Sequence, residues 1–385
     1  MTTEQSMLSA ADDFLIHQTV EVIRYVASSD RRFYDRHFWV GHANDGELMF
    51  LGGMGVYPNL GVIDGFFTFS LGDQAITVRG SRELTADRMN TRDVGPFSLT
   101  VEEGLKRFRI VCAETDGVSF DLAWTNSAPA FEEPQVFKRE HGRVIEQMNR
   151  FVQTGRWQGH IVIDGRRFEV DPANWWGSRD RSWGVRSLGL EDEPSGIVEA
   201  HREASANTLF WIWAPMQFEH GALHYNVGEG PGEARFVEVV RWMRQGDERV
   251  IAVMSDPRHD LEYCPRTGRL AGGTLSYRDQ AGERRTIRVQ PLRATCMFAA
   301  TGYAVPASGL GMIDDWRHGK YMGPSWRSVR RFDLSDPDTL ARIGAAGIHM
   351  LCRLELDTGE VGYADIENTV RNHPRYPRGG AAPKG

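Results

Sequence analysis

The chain has 385 residues, 41% of them hydrophobic and 25% charged, with a formal net charge of -7. This is the composition of an ordinary globular protein with room for two cores, and it offers no basic excess to a nucleic-acid partner. No apolar run is long enough to span a bilayer, and Cys112, Cys264, Cys296 and Cys352 form no CxxC pair, which argues against a membrane span, a zinc ribbon and a disulfide scaffold.

The opening MTTEQSMLSAADDFL lacks the basic and apolar regions of a signal peptide, so a cytoplasmic protein is the expectation. Residues 9–27, SAADDFLIHQTVEVIRYVA, predict a helix, with Ser9 as cap and Phe14, Leu15, Val20, Val22 and Ile23 roughly along one stripe. Residues 1–28 then form an N-terminal helical segment. From there the signals are strands. Gly52-Gly53-Met54-Gly55 opens no helix and has no following Gly-Lys-Ser/Thr, so it reads as a β turn or bulge, with Tyr57 beside it at a cavity mouth. Arg109–Trp124 places two β-type runs around Asp116-Gly117, and residues 159–170 repeat the form around Asp164-Gly165.

The stretch NWWGSRDRSWGVR, Asn174 to Arg186, follows at once. Residues 187–198 are rich in Gly, Pro and acid and read as a linker. NTLFWIWAP begins a second set of strands, with Trp211 and Trp213 two apart on one face. Residues 303–326, carrying Tyr303, Trp316, Tyr321 and Trp326, have little regular pattern and read as a lid or as a wrap around one barrel end. Leu354–Tyr363 is a further hairpin, and 372–385 is a Pro/Gly/charge-rich tail expected to be disordered. Phe38-Trp39 with its following glycines is echoed by Phe210-Trp211 with its own, which suggests a duplicated unit. The expected organisation is all-β: two antiparallel barrel or sandwich domains, 29–190 and 191–371, with the opening motif near their junction.

Within that motif Asp180 is surrounded in sequence by Arg179, Arg181, Arg186 and the indoles of Trp175, Trp176 and Trp183. Two readings stand side by side. An Arg179–Asp180 ion pair would clasp the fold. Alternatively, an aspartate walled by indoles loses solvation, its pKa rises, and it becomes a proton donor unless a cation stays close. Ser182 lacks the setting of a nucleophile elbow. His160, in a strand before the motif, is a weak second proton carrier. His220 and His224 stand four apart in a strand-like context, with no acidic third ligand, and no metal is expected.

The form RDxSWGxR after a G-x-x-F-x-V hairpin resembles the two-domain lipocalin-like superfamily of carotenoid 1,2-hydratase (hydroxyneurosporene synthase) and the AttH-like proteins. GGMGVYPNL at Gly52–Leu60 and QTGRWQGHIVIDGRRFEV at Gln153–Val170 agree with it. The resemblance implies two lipocalin-like domains and cofactor-free hydratase or cyclase chemistry on an apolar molecule. It makes Asp180 the catalytic acid with Trp183 beside it. Many relatives carry His where this chain has Arg181, and the added cation favours base-type isomerisation over alkene protonation.

The expectation is therefore a cofactor-independent hydratase, isomerase or cyclase for a hydrophobic small molecule such as a terpenoid, steroid or polyketide. Asp180 carries the proton and Arg179 and Arg186 set its charge, while Trp176, Trp183, Trp211, Trp213 and Tyr57 shape the pocket. A carrier of a hydrophobic ligand, with the Arg–Asp motif as a clasp, is the alternative.

Overall fold

The computed structural model describes residues 7–140, 142–186, 208–246, 251–265, 267–304, 310–343 and 348–376. The chain runs through β1 (Phe33–Ala43), β2 (Leu48–Tyr57), β3 (Val62–Leu71), β4 (Gln74–Glu83), β5 (Phe97–Glu103), β6 (Arg107–Thr115), β7 (Val118–Asn126), β8 (Phe131–Glu132), β9 (Val136–Glu140), β10 (Arg143–Ile163), β11 (Arg166–Val170) and β12 (Trp175–Val185). It continues through β13 (Leu209–Phe218), β14 (Gly221–Glu229), β15 (Arg235–Arg244), β16 (Ile251–Val253), β17 (Ser255–Tyr263), β18 (Leu270–Arg278), β19 (Arg284–Cys296), β20 (Trp326–Asp333), α1 (Pro337–Ile343), β21 (Ile348–Leu356) and β22 (Val361–Arg371). The expected all-β architecture is what the structure shows: two antiparallel sheets packed together. No helix among the described residues is long and apolar enough to cross a membrane.

The first sheet has the order β20-β4-β3-β2-β1-β12-β10-β7-β6-β5, with β8, β9 and β11 paired to β10. β20 comes from the C-terminal half, so the two halves are interwoven at this edge. The second sheet runs β16-β15-β14-β13-β22-β21-β19-β18-β17. It curls until β15 approaches β17, where the Arg235 guanidinium donates to Pro257 O. The hairpins follow their sequence signals. Asp116 and Gly117 have φ of 45° and 85°, and Asp164 and Gly165 have φ of 50° and 80°, the doubly positive pair that a tight two-residue turn demands. Phe38-Trp39 and Phe210-Trp211 fall on the first strand of each sheet.

The first sheet also curls around an aromatic core. Phe67 on β3 meets Phe120 on β7 at 4.5 Å between ring centroids, and Trp124 meets Trp157 at 5.0 Å. A row of three glycines, Gly41, Gly177 and Gly155, paired across β1, β12 and β10, makes this packing possible. A Cβ on Gly177 would strike Val40 O and the Trp157 indole nitrogen, which donates to that same carbonyl at 2.9 Å. Each glycine admits a ring where a side chain would stand.

Three segments differ from expectation or escape it. The N-terminal helix stops after one 3-10 turn, Ala10–Asp13, although Ser9 caps it as foreseen and Asp12 reaches back to the Ser9 amide at 2.7 Å. Asp12 also accepts from Ile23 N at 2.6 Å, folding residues 14–23 into a strap across the mouth of the first barrel. Leu15 and Val20 stand fully in solvent while Ile23 is buried, so the apolar stripe has no surface to lie on, and an isolated helix this short is marginal without one. The ordered chain extends past the expected start of the tail, because His373 and Tyr376 are buried against Glu229 and His259 of the second barrel. The linker at 187–198 and the end of the tail, 377–385, lie outside the described residues.

Candidate active site at the junction of the sheets

Strand alternation sets the site. β12 lies between β1 and β10, with Phe38, Asp180 and Val152 in register, flanked by Arg36, Ser182 and Arg150 on one side and Val40, Ser178 and Thr154 on the other. Residues two apart share a face, so these nine side chains stand on the outside of the first barrel. The second barrel covers them. Phe38 and Val40 pack with Leu351 of β21, and Val152 packs with Trp213 of β13.

Asp180 is 6% exposed, its Oδ1 is buried, and that atom has no hydrogen-bond partner among the described residues. Burial pushes its carboxyl above the ordinary aspartate value. The positive charges of Arg36, Arg150 and Arg186 work against the rise without cancelling it, and Glu133 adds to it. Two of these cations are engaged elsewhere. The Arg36 guanidinium donates to Tyr303 Oη and Arg150 is paired with Glu133. Arg186 lies over the Tyr34 ring at 5.0 Å and reaches Tyr303 Oη at 3.4 Å. Burial opposes its charge, but Tyr34, Tyr303 and Asp180 outweigh burial and hold it above the ordinary range.

The facing wall carries a second buried titratable group that the sequence reading passed over. His349 on β21 is 1% exposed, its ring is 5.6 Å from that of Phe38, and its Nδ1 is 2.6 Å from Asp365 Oδ2. Burial would lower its pKa. Asp365, with Glu367 and Asp180, outweighs burial and raises it. Its Nε2 is buried with no partner among the described residues. The one available signal was the register of β21 against β22, which sequence does not print. Beyond Val152, Glu133 accepts from Trp213 Nε1 at 2.6 Å and pairs with Arg150, while His224 Nε2 lies 2.9 Å away but out of line for a hydrogen bond. Burial alone would raise the Glu133 carboxyl; Arg150, His224 and Trp213 hold it down to about 2.

The structure brings some of the expected residues together and separates others. Asp180 and Arg186 share the junction, as does Trp176, whose ring meets Tyr363 of β22 edge-on at 5.5 Å. Trp213 and Trp211 belong to the cluster around Val152. Tyr57 is buried, its hydroxyl without a partner among the described residues, stacks near His318, and lines neither of the two cavities described below. Arg179 points the opposite way from Asp180, into the first barrel, where its Nε and Nη2 both donate to Gln153 Oε1 at 2.9 and 2.6 Å. The anticipated Arg179–Asp180 pair is thus not made, because adjacent strand residues face opposite sides. Trp183 shares the face of Arg179 and is 37% exposed. His160 pairs with Asp121 and Glu169, eight residues along β10 from Val152, or about 26 Å at about 3.3 Å per residue.

Two adjoining cavities, of about 730 and 350 Å3, open at the mouth of the first barrel beneath the strap. They share Gln18, Ile23, Asp35, Arg88 and Arg181. Trp183 and Phe151 line the larger, and His37, Met54 and Leu99 the smaller. Among the described residues no group of three or more His, Cys, Asp and Glu side chains is arranged to hold a metal ion. His220 is exposed beside Glu360, and His224 is buried by Glu133.

No curated protein is significantly similar to this chain. The crystal structure of kievitone hydratase from Nectria haematococca is similar at a TM-score of 0.46 and 10% identity, over 91% of this chain and 94% of that one. A likeness at that level decides nothing about the chemistry here. Residues 8–370 match a family of unknown function (DUF8625), and over that nearly complete span the chain belongs to it.

Proposed function

We propose that the protein is a cofactor-independent acid/base enzyme, a hydratase, isomerase or cyclase, for an apolar terpenoid, steroid or polyketide-like substrate bound near the junction of the sheets. The observation that carries this reading is Asp180: a buried carboxyl with an unpartnered oxygen and a raised pKa. A structural carboxylate in such a place is ordinarily paired. One left poised is suited to moving a proton. The His349–Asp365 pair supports it from the facing wall, with one ring nitrogen held by a carboxylate and the other unengaged.

Two proton carriers are what these reactions need. In hydration one group delivers a proton to an alkene carbon while the other takes a proton from the water whose oxygen bonds to the adjacent carbon. In isomerisation one removes a C–H proton and the other returns a proton at a different carbon. Phe38, in register with Asp180, supplies an aromatic ring beside the carboxyl, and such a ring stabilises developing positive charge. Turnover of a terpenoid, steroid and polyketide panel in D2O, read by mass spectrometry, tests the proposal. Water addition or deuterium uptake that is lost in both Asp180→Asn and His349→Asn is expected. Turnover that survives Asp180→Asn overturns it.

A second reading has its own observation. The cavities beneath the strap open away from Asp180, on the other face of β12, and together exceed the roughly 300 Å3 at which small-molecule sites begin. That room favours a bound hydrophobic ligand, in a carrier or alongside the enzyme.

A further inference from the structure

The interior of the first barrel holds more positive charge than it neutralises. Arg179, 4% exposed, has the Gln153 amide oxygen as its acceptor and the Phe108 and Phe151 rings at 5.4 Å, with no carboxylate partner among the described residues. Two residues along the same face, about 7 Å nearer the mouth, Arg181 pairs with Asp35. Arg88, at the rim of both cavities, also feels the negative charge of Asp35. One carboxylate therefore serves two arginines and a third has none. His37, on the same face in β1, stands directly opposite Arg181 in register, adds a buried Nδ1 with no partner among the described residues, and lines the smaller cavity. Glu21, the other carboxylate on the lining, is on the exposed strap. A buried cation with no counterion is costly, and a bound anion is what relieves it.

We propose that the mouth of the first barrel binds an amphipathic organic carboxylate, its head group on the Arg179–Arg181 side chains and its apolar body under the strap. The body would lie among Ile23, Met54, Val56, Leu99 and Phe151, which line the two cavities. Arg179 lies behind the lining of both cavities, and the head would reach it from the rim, past Arg181 and Arg88. The junction chemistry of Asp180 is on the opposite face and takes no part. The proposal rests on the second reading above, that these cavities take a ligand, and names the chemistry that the ligand must carry.

Calorimetric titration of the full chain with dodecanoate and with 1-dodecanol, each below its aggregation limit, separates the two ideas. Binding of dodecanoate at least tenfold tighter than dodecanol is expected. Arg179→Gln should abolish that preference while leaving dodecanol binding unchanged. Equal affinity for the two, or a preference that persists in Arg179→Gln, overturns the carboxylate assignment and leaves the cavity reading standing. Binding of neither overturns both. Where Arg179→Gln melts early, the head-group comparison on the native sequence decides alone.

Discussion

Replacing Asp180 by Asn separates a working carboxyl from a clasp on physical grounds. The side chain is 6% exposed, and no cation is paired with it among the described residues. Because burial raises its pKa above that of the unfolded chain, the native state holds its proton more tightly than the unfolded state does. Stability from this group is therefore full at low pH and is lost as pH rises through the folded pKa, at about 1.4 kcal/mol for each unit of separation. An uncharged isostere escapes that loss. Asp180→Asn should melt no more than about 2 °C below the parent at pH 7, or above it. Its advantage should shrink as pH falls toward the unfolded aspartate value of about 4. A clasp would behave oppositely. Breaking a buried ion pair costs about 3–5 kcal/mol, which at about 2–4 °C per kcal/mol is a fall of about 6–20 °C. Thermal unfolding of both proteins from pH 4 to 8 provides the measurement. A fall of that size at neutral pH, with no dependence on pH, refutes the reasoning.

Three further outcomes are expected. Glu133 is held at about 2 against an ordinary 4.5, so it contributes about 3 kcal/mol above pH 4.5 that disappears as pH falls toward 2. Denaturant melts of Glu133→Gln should show that deficit at pH 7 and its narrowing below pH 4.5, and a constant gap would contradict it. Gly177→Ala should cost about 2–3 kcal/mol in the same assay through its collision with Val40 O and Trp157, and a neutral result would mean that the glycine row does not set the aromatic packing. For any substrate turned over, the pH–rate profile should have an acid limb above the usual carboxylate range and an alkaline limb above the usual histidine range. His349→Asn should lose the alkaline limb.

The hairpins were written locally. Asp116-Gly117 and Asp164-Gly165 demand turns with positive φ, and the flanking alternation gives strands whatever lies around them. The all-β class followed from these signals, and the crowding of Trp and Arg around Asp180 marked the region of interest. The N-terminal stripe had helical periodicity, but periodicity needs a surface to bury against, and the barrel mouth accepts little beyond Ile23. His349 and Asp365 lie 169 and 185 positions beyond Asp180, and only the packing of one sheet on another sets them opposite it. Adjacency misled at Arg179. A neighbour in sequence is a neighbour in space on a helix or a turn, whereas a pleated strand sends consecutive side chains to opposite faces. What the sequence determined by itself was therefore the strand alternation and the residues that carry charge. Which face meets the other barrel, and hence which charges meet each other, was decided by the tertiary structure, because burial and its electrostatic consequences depend on surfaces far apart in the chain.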